Sequence, residues 1–350
     1  MYSESDLSAA VAAGVLTPEA AQRLRDHVAA MRAGPQTDEE HFRLLTGFND
    51  IFVSIAAAIL LMAVGWIGQA IYPPLAGVAV ATTAWGLAEY FTRVRRMALP
   101  SILLLLAFVG GVMAAPIGLL VEHGEQWFGP DPAQRTVAML GAGIALMGVV
   151  AAWAHWRRFM VPITVAAGAA ALSATVIAII SALIGPDTIR PEALQTMVLV
   201  AGVGVFLFAM AWDRSDRARV TRRSDVAFWL HLLSAPMIAH PLFSLLGVTD
   251  NEMIGPGAAL VVIGLYMLFG FVALAIDRRA MLVSALAYVL FAMTQLFREF
   301  GAVELNVALT ALVIGSALLL LSAFWQHARR LVLGVLPESV RTMVPAPVSA

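Results

Sequence analysis

Residues Arg222–Gly247 read RRSDVAFWLHLLSAPMIAHPLFSLLG. The stretch is long and apolar enough to cross a bilayer, which takes about twenty residues. It also carries two histidines, His231 and His240, and two prolines, Pro236 and Pro241. Each proline removes a helical hydrogen bond and bends the helix. A helix of this kind, apolar yet interrupted and polar inside, belongs to a membrane bundle rather than to a soluble core.

The rest of the chain agrees. Hydrophobic residues make up 60% of the 350 residues and charged residues 13%. A soluble domain has about 45–50% and about 25%. Ten spans are predicted, near 48–70, 73–91, 99–121, 135–154, 161–184, 193–212, 225–246, 255–276, 280–298 and 303–323. The fold class is all-α: a polytopic transmembrane helix bundle behind a short N-terminal helical hairpin, with the lipid bilayer as its main partner.

Charge places the ends. All 22 basic residues are Arg, and the turns that follow every second span hold most of them. Arg93, Arg95 and Arg96 lie in one, Arg157 and Arg158 in the next, Arg214 to Arg223 in the third, Arg278 and Arg279 in the fourth. With the N-terminal segment and the tail, this side carries 19 Arg and the other 3. Basic loops stay in the cytoplasm, so both termini are expected there. Arg-only usage with abundant Ala points to a GC-rich bacterial genome, hence a bacterial inner membrane. The acidic start lacks the basic region of a signal peptide, and the first span is expected to serve as an uncleaved anchor. A net charge of −1 predicts no nucleic-acid partner. With no Cys, disulfides and thiol chemistry are excluded.

Three segments follow: 1–47 as cytoplasmic hairpin and linker, 48–325 as the ten-span domain, and 326–350 as a basic cytoplasmic tail on the membrane surface. In the hairpin, Thr17 caps a helix that opens on Pro18. Ala20, Leu24, Val28 and Met31 share one face of it. The hairpin is too short for its own core, so residues 6–32 are expected to meet a protein partner or a second copy.

Two packing signals stand out. Ala recurs at 166, 170, 174, 178 and 182, and small residues let membrane helices approach closely. Span five is therefore expected at the bundle centre. Gly141, Ala145, Gly148, Gly202 and Gly204 fit the same idea. Arg pairs recur at spacings of 51 to 65 residues. Two readings stand: a duplicated two-helix unit, or tight cytoplasmic turns that each select Arg.

Ionisable groups inside a bilayer are costly and so raise a functional question. Asp50, Glu89, Asp213, Asp225 and Asp277 fall at predicted span ends. There Asp213 beside Arg214 and Asp277 beside Arg278 read as interfacial ion pairs or helix-end anchors. His231 and His240 lie deeper. Nine residues turn a helix by about 900° and rise roughly 13 Å. The two rings then face opposite ways and cannot share a metal. His240, Gln295, Arg298 and Asn306, with Glu299 and Glu304 flanking, would line an outward polar cavity if spans seven, nine and ten touch. The candidate transport or polar-cavity residues are thus His231, His240, Gln295, Arg298 and Asn306. The competing reading is structural: histidines bonded to neighbouring helices, and Arg298 paired locally. No phosphate loop, zinc-protease, hydrolase or complete dinucleotide motif is found, so neither an enzyme nor a cofactor or metal is predicted.

The segments Asp6-Leu7, Gly14-Val15-Leu16-Thr17-Pro18-Glu19-Ala20, Leu45–Phe52 and Leu321–Trp325 resemble a family of uncharacterised bacterial multi-span membrane proteins. Those proteins carry an N-terminal hairpin domain of unknown function. The hairpin is also similar to short oligomerisation hairpins of other bacterial proteins. The resemblance implies a membrane protein and no activity, and it transfers no functional residues. From the residues alone, a small-solute or ion-handling transporter or channel-like protein is expected. The alternative is a membrane scaffold or regulator acting through the hairpin.

Overall fold

The computed structural model describes residues 4–32, 48–186, 189–217, 219, 221–247, 256–299, 305–341 and 344. Every regular element among them is helical. The chain divides into a small unit, which holds the first two helices, and a large one, which holds the rest.

In the small unit, α1 (Glu4–Ala12) is followed by a turn through Gly14, at φ +72°. Helix α2 (Pro18–Arg32) starts as expected, with Thr17 Oγ1 accepting from the Ala20 amide at 3.2 Å.

The large unit opens with α3 (Phe48–Ile71), α4 (Pro73–Ala88), α5 (Ala98–Phe128), α6 (Gln134–Phe159) and α7 (Ile163–Ile184). It continues with α8 (Pro191–Ser215), α9 (Arg222–Leu245), α10 (Pro256–Ile276), α11 (Ala280–Glu299) and α12 (Asn306–Ala323). Nine of these are long and apolar enough to cross a membrane. The tenth, α4, is carried on by a π-helical stretch from Glu89 to Val94. The protein is therefore a polytopic α-helical membrane protein. Helix α5 runs past its predicted end at 121, because nothing breaks it before Gly129 at φ +81°. Its 31 residues exceed the length that a hydrocarbon core of about 30 Å requires. Beyond that core, His123 Nε2 is hydrogen-bonded to the Tyr72 hydroxyl at 2.8 Å.

Four antiparallel hairpins form the frame: α4 with α5, α6 with α7, α8 with α9, and α10 with α11. All four turn at the Arg-rich end. Each turn holds one non-glycine residue in the left-handed region: Arg96 (φ 51°), Met160 (55°), Arg219 (53°) and Asp277 (58°). Such a residue costs roughly 1–2 kcal/mol. A left-handed residue is a common way to end a helix, and its place relative to the Arg pair differs from turn to turn, so it does not decide between the two readings of the Arg spacing.

Glycine sets the tightest contact, between α4 and α5. A Cβ on Gly77 would lie 2.3 Å from the Ala115 nitrogen, and one on Gly111 would lie 2.7 Å from the Ala81 nitrogen. Gly202 plays the same part between α8 and α9, where a Cβ would come within 2.9 Å of Met237 backbone. Gly141 and Gly204, by contrast, face open space.

The centre of the bundle is α9, not α7 as the alanine ridge predicts. Half of the α9 span is buried, against 28% for α7. The reason is geometric. An i+4 row drifts about 40° per step, so five alanines sweep about 160° of the helix and cannot all meet one neighbour. Ala166 and Ala182 are buried, while Ala174 is exposed. Helix α9 instead packs on α7, α8 and α11. Ala166, Val205, Ala209, Val226 and Leu230 fill the junction of α7, α8 and α9. Phe243 of α9 stacks on Tyr288 of α11 at 4.3 Å.

The tail also departs from expectation. Helix α13 (Trp325–Val335) does not simply lie on the membrane surface: it packs on α10. Trp325, Arg329 and Leu333 recur every fourth residue, and all three are buried. A short helix, α14 (Glu338–Arg341), follows.

Candidate functional site: a buried charge cluster at the Arg-rich end

Asp213 sits in the last turn of α8 and is fully buried. It does not form the interfacial pair with Arg214 that adjacency predicts, since Arg214 is exposed. One carboxylate oxygen, Oδ1, accepts from Arg278 Nη2 at 2.8 Å. The other, Oδ2, is 2.9 Å from His231 Nε2. Consecutive residues on a helix point about 100° apart, so Arg278 and His231 reach Asp213 from other elements where Arg214 cannot.

Asp277 is paired crosswise in the same way. Arg219 Nη1 donates to its Oδ2 at 3.0 Å, and Trp325 Nε1 donates to its Oδ1 at 2.8 Å. Arg329 Nε lies 3.7 Å from that same oxygen. Arg219 also donates to the Ile276 carbonyl at 3.0 Å. Arg278 donates to the Ser224 carbonyl at 3.1 Å, at the start of α9. The left-handed turn residues Arg219 and Asp277 are thus bonded to each other. One cluster ties together the ends of α8 and α9, the α8–α9 and α10–α11 turns, and α13.

Most of the cluster is buried, although the Arg219 side chain is 22% exposed. His231 and Arg329 have no exposed surface, and Arg278 has 3%. Removing an ion from water costs several kcal/mol, repaid only when partners are well placed. Burial draws the Arg219 guanidinium below the ordinary arginine range; nearby Arg278 adds to this and Asp277 opposes it. Asp213 and Asp277 lie within ion-pair distance of Arg219, Arg278 and Arg329, and the charges of Asp225 and Arg278 also act on each other. His231 Nε2 is engaged by Asp213, while its Nδ1 is buried without a hydrogen-bond partner. Phe206 of α8 lies across the ring, with centroids 5.2 Å apart. A proton gained at Nδ1 would turn the ring into a cation beside Asp213 and change the charge balance of the whole cluster.

A second clamp acts on the other hairpins. Glu89, in the π-helical stretch, accepts from Arg158 Nε at 2.7 Å and from Arg158 Nη2 at 2.8 Å. It joins the end of α4 to the end of α6.

The predicted site residues divide into three places. His231 enters the buried cluster, where its partner is Asp213. His240 is exposed, and its Nδ1 is hydrogen-bonded to the Tyr288 hydroxyl of α11 at 2.6 Å. Gln295 is half-buried and Arg298 exposed at the far end of α11. Asn306 is buried at the start of α12, where its Oδ1 accepts from the Val307 amide at 2.7 Å. Helix α11 packs on both α9 and α12. Tyr288 nevertheless stands two turns from Gln295, roughly 10 Å along the helix. The side chain of Glu299 and the whole of Glu304, named as flanking groups, lie outside the described residues. No three His, Asp or Glu side chains among the described residues are placed to hold a metal.

Arg219, Asp277, Arg278, Trp325 and Arg329 were not singled out by sequence as one site. One signal was available: Asp-Arg recurs at the ends of two spans.

The class these features define is a multi-span helical membrane protein with a buried ionic cluster at one end. No protein-family model, no curated protein and no solved structure matches the chain.

Proposed function

We propose that the chain is a transport protein for a small solute or ion in a bacterial inner membrane. Both termini are cytoplasmic and no chemical reaction is catalysed. The observation that carries this reading is the Asp213–His231–Arg278 cluster. Ionisable groups within membrane bundles mark ion paths and proton relays. A purely structural joint is served as well by apolar packing, which is often neutral or better than a buried ion pair. In this reading the cluster closes the Arg-rich, cytoplasmic end of the bundle. His231 Nδ1 accepts a proton, Asp213 holds the resulting imidazolium, and the link between Asp213 and Arg278 loosens. The 19-to-3 distribution of Arg supports the orientation.

The test is dissipation of an imposed pH gradient by the purified protein in liposomes that contain a pH-sensitive dye. Wild type is expected to dissipate it faster than empty liposomes. His231→Gln is expected to slow it to the rate of empty liposomes. Wild-type liposomes no leakier than empty ones, or an unaffected His231→Gln, would reject the reading.

A second reading is favoured by one observation: the α1–α2 hairpin forms a unit of its own. Here the protein is a scaffold or regulator that binds a protein partner or a second copy through residues 6–32. Removing 1–32 then abolishes self-association or partner binding, while the intact chain leaves the gradient untouched.

A further inference from the structure

Helices α7 and α8 are consecutive, yet they pack mainly on other partners: α7 on α6, and α8 on α9. Between α6, α7 and α8 this leaves a cleft of about 640 Å³. Its wall is almost wholly apolar, with Gly168 on α7 and Gly204 on α8 among the lining residues. At 1.5 Å per residue, the stretches Thr164–Val176 and Ala201–Trp212 that line it rise about 16–18 Å. One leaflet of a hydrocarbon core of about 30 Å is of that length.

The two ends of the cleft differ. Trp153, Trp156 and Trp212 stand at its Arg-rich end, the depth at which tryptophan meets lipid headgroups. The guanidinium of Arg157 lies over the Trp153 ring, 5.6 Å from its centroid. Arg157 occupies the last turn of α6 and is exposed. Arg158 beside it is engaged by Glu89. The mouth of the cleft is therefore positive, and its body is an apolar slot one leaflet long.

We propose that this cleft is a binding site for one anionic phospholipid. An acyl chain lies along Gly168 and Gly204, and the phosphate headgroup meets Arg157. The fit rests on length and charge. A helix from a second copy would bring about 10 Å of diameter, wider than the slot an acyl chain fills. The inference goes beyond the transport reading and does not depend on it. Only the choice of the cytoplasmic leaflet rests on the proposed orientation.

The test uses the full-length protein in detergent, mixed with equal amounts of phosphatidylglycerol and phosphatidylcholine, with retained lipid counted by native mass spectrometry. Wild type is expected to retain one phosphatidylglycerol, preferred over phosphatidylcholine by at least about fivefold, since one interfacial Arg is worth about 1 kcal/mol. Arg157→Gln is expected to lower that preference by about fivefold. Gly204→Leu is expected to lose both lipids. A Cβ at 204 meets no atom within 4 Å, so the added side chain starts into the open slot, and an unchanged unfolding transition of the variant checks that the fold is kept. Equal retention of the two lipids by wild type would overturn the proposal. So would undiminished retention by Gly204→Leu, or a dimer that Gly204→Leu splits while lipid retention stays the same.

Discussion

Asp213→Ala is expected to destabilise the folded protein by about 3–5 kcal/mol, the range for removing one partner of a buried ion pair. The loss has two sources. Arg278 loses the carboxylate that its Nη2 bonds at 2.8 Å, and His231 loses the acceptor at 2.9 Å. Both side chains stay buried, so neither regains water. The cost is then that of an uncompensated guanidinium rather than of one hydrogen bond. Arg278→Met in the same chain should restore much of the stability, because the stranded charge is gone. Reversible unfolding in mixed detergent micelles measures both. A cost below about 1 kcal/mol for Asp213→Ala, typical of an exposed pair, would mean that the cluster is open to water.

The second large effect is expected at Gly77. A Cβ there would fall 2.3 Å from the Ala115 nitrogen and 2.6 Å from the Gly111 oxygen. Both are backbone atoms, so no side chain can swing aside. Gly77→Ala must push α4 and α5 apart along their whole contact, at a cost of about 3 kcal/mol, the upper range for overpacking. Gly86 on the same helix is the control, since a Cβ there meets nothing within 4 Å. Gly86→Ala should gain stability by roughly 0.5–1 kcal/mol from helix propensity alone. Unfolding under the same conditions separates the two. Equal effects at 77 and 86 would contradict the close crossing.

The fold was legible because bilayer length and Arg placement are one-dimensional signals. Span lengths and alternating Arg-rich turns can be counted along the chain. The α4–α5 crossing was less visible: Gly77 and Gly111 announce themselves only when the two helices are in register. The ridge of alanines misled, since small residues permit close packing on any side while burial depends on neighbours. The candidate site was half legible. His231 stood out as an ionisable group inside a span. Its partner did not, because simple counting across the connection from Ser215 to Arg222 sets Asp213 opposite the first turn of α9. His231 lies about two turns further along, and their contact at 2.9 Å is visible only in three dimensions. Asp277 and Arg329 are remote in sequence and meet only because α13 folds back onto α10. Adjacent Asp-Arg pairs look like local ion pairs, but helix geometry points the two side chains apart.

In the proposed function the cluster around Asp213 seals the Arg-rich end of the bundle and opens when its charge balance changes. The chain contains no Cys, so one introduced thiol reports alone. Ser234 is fully buried beneath His231 and donates to its carbonyl at 3.1 Å. Labelling of Ser234→Cys by a membrane-impermeant thiol reagent, in sealed vesicles of known orientation, is the most direct measurement. The thiol is predicted to stay unreactive from both sides at neutral pH. It is predicted to react from the Arg-rich side once Asp213→Asn is added. Equal labelling with and without Asp213→Asn would contradict the claim.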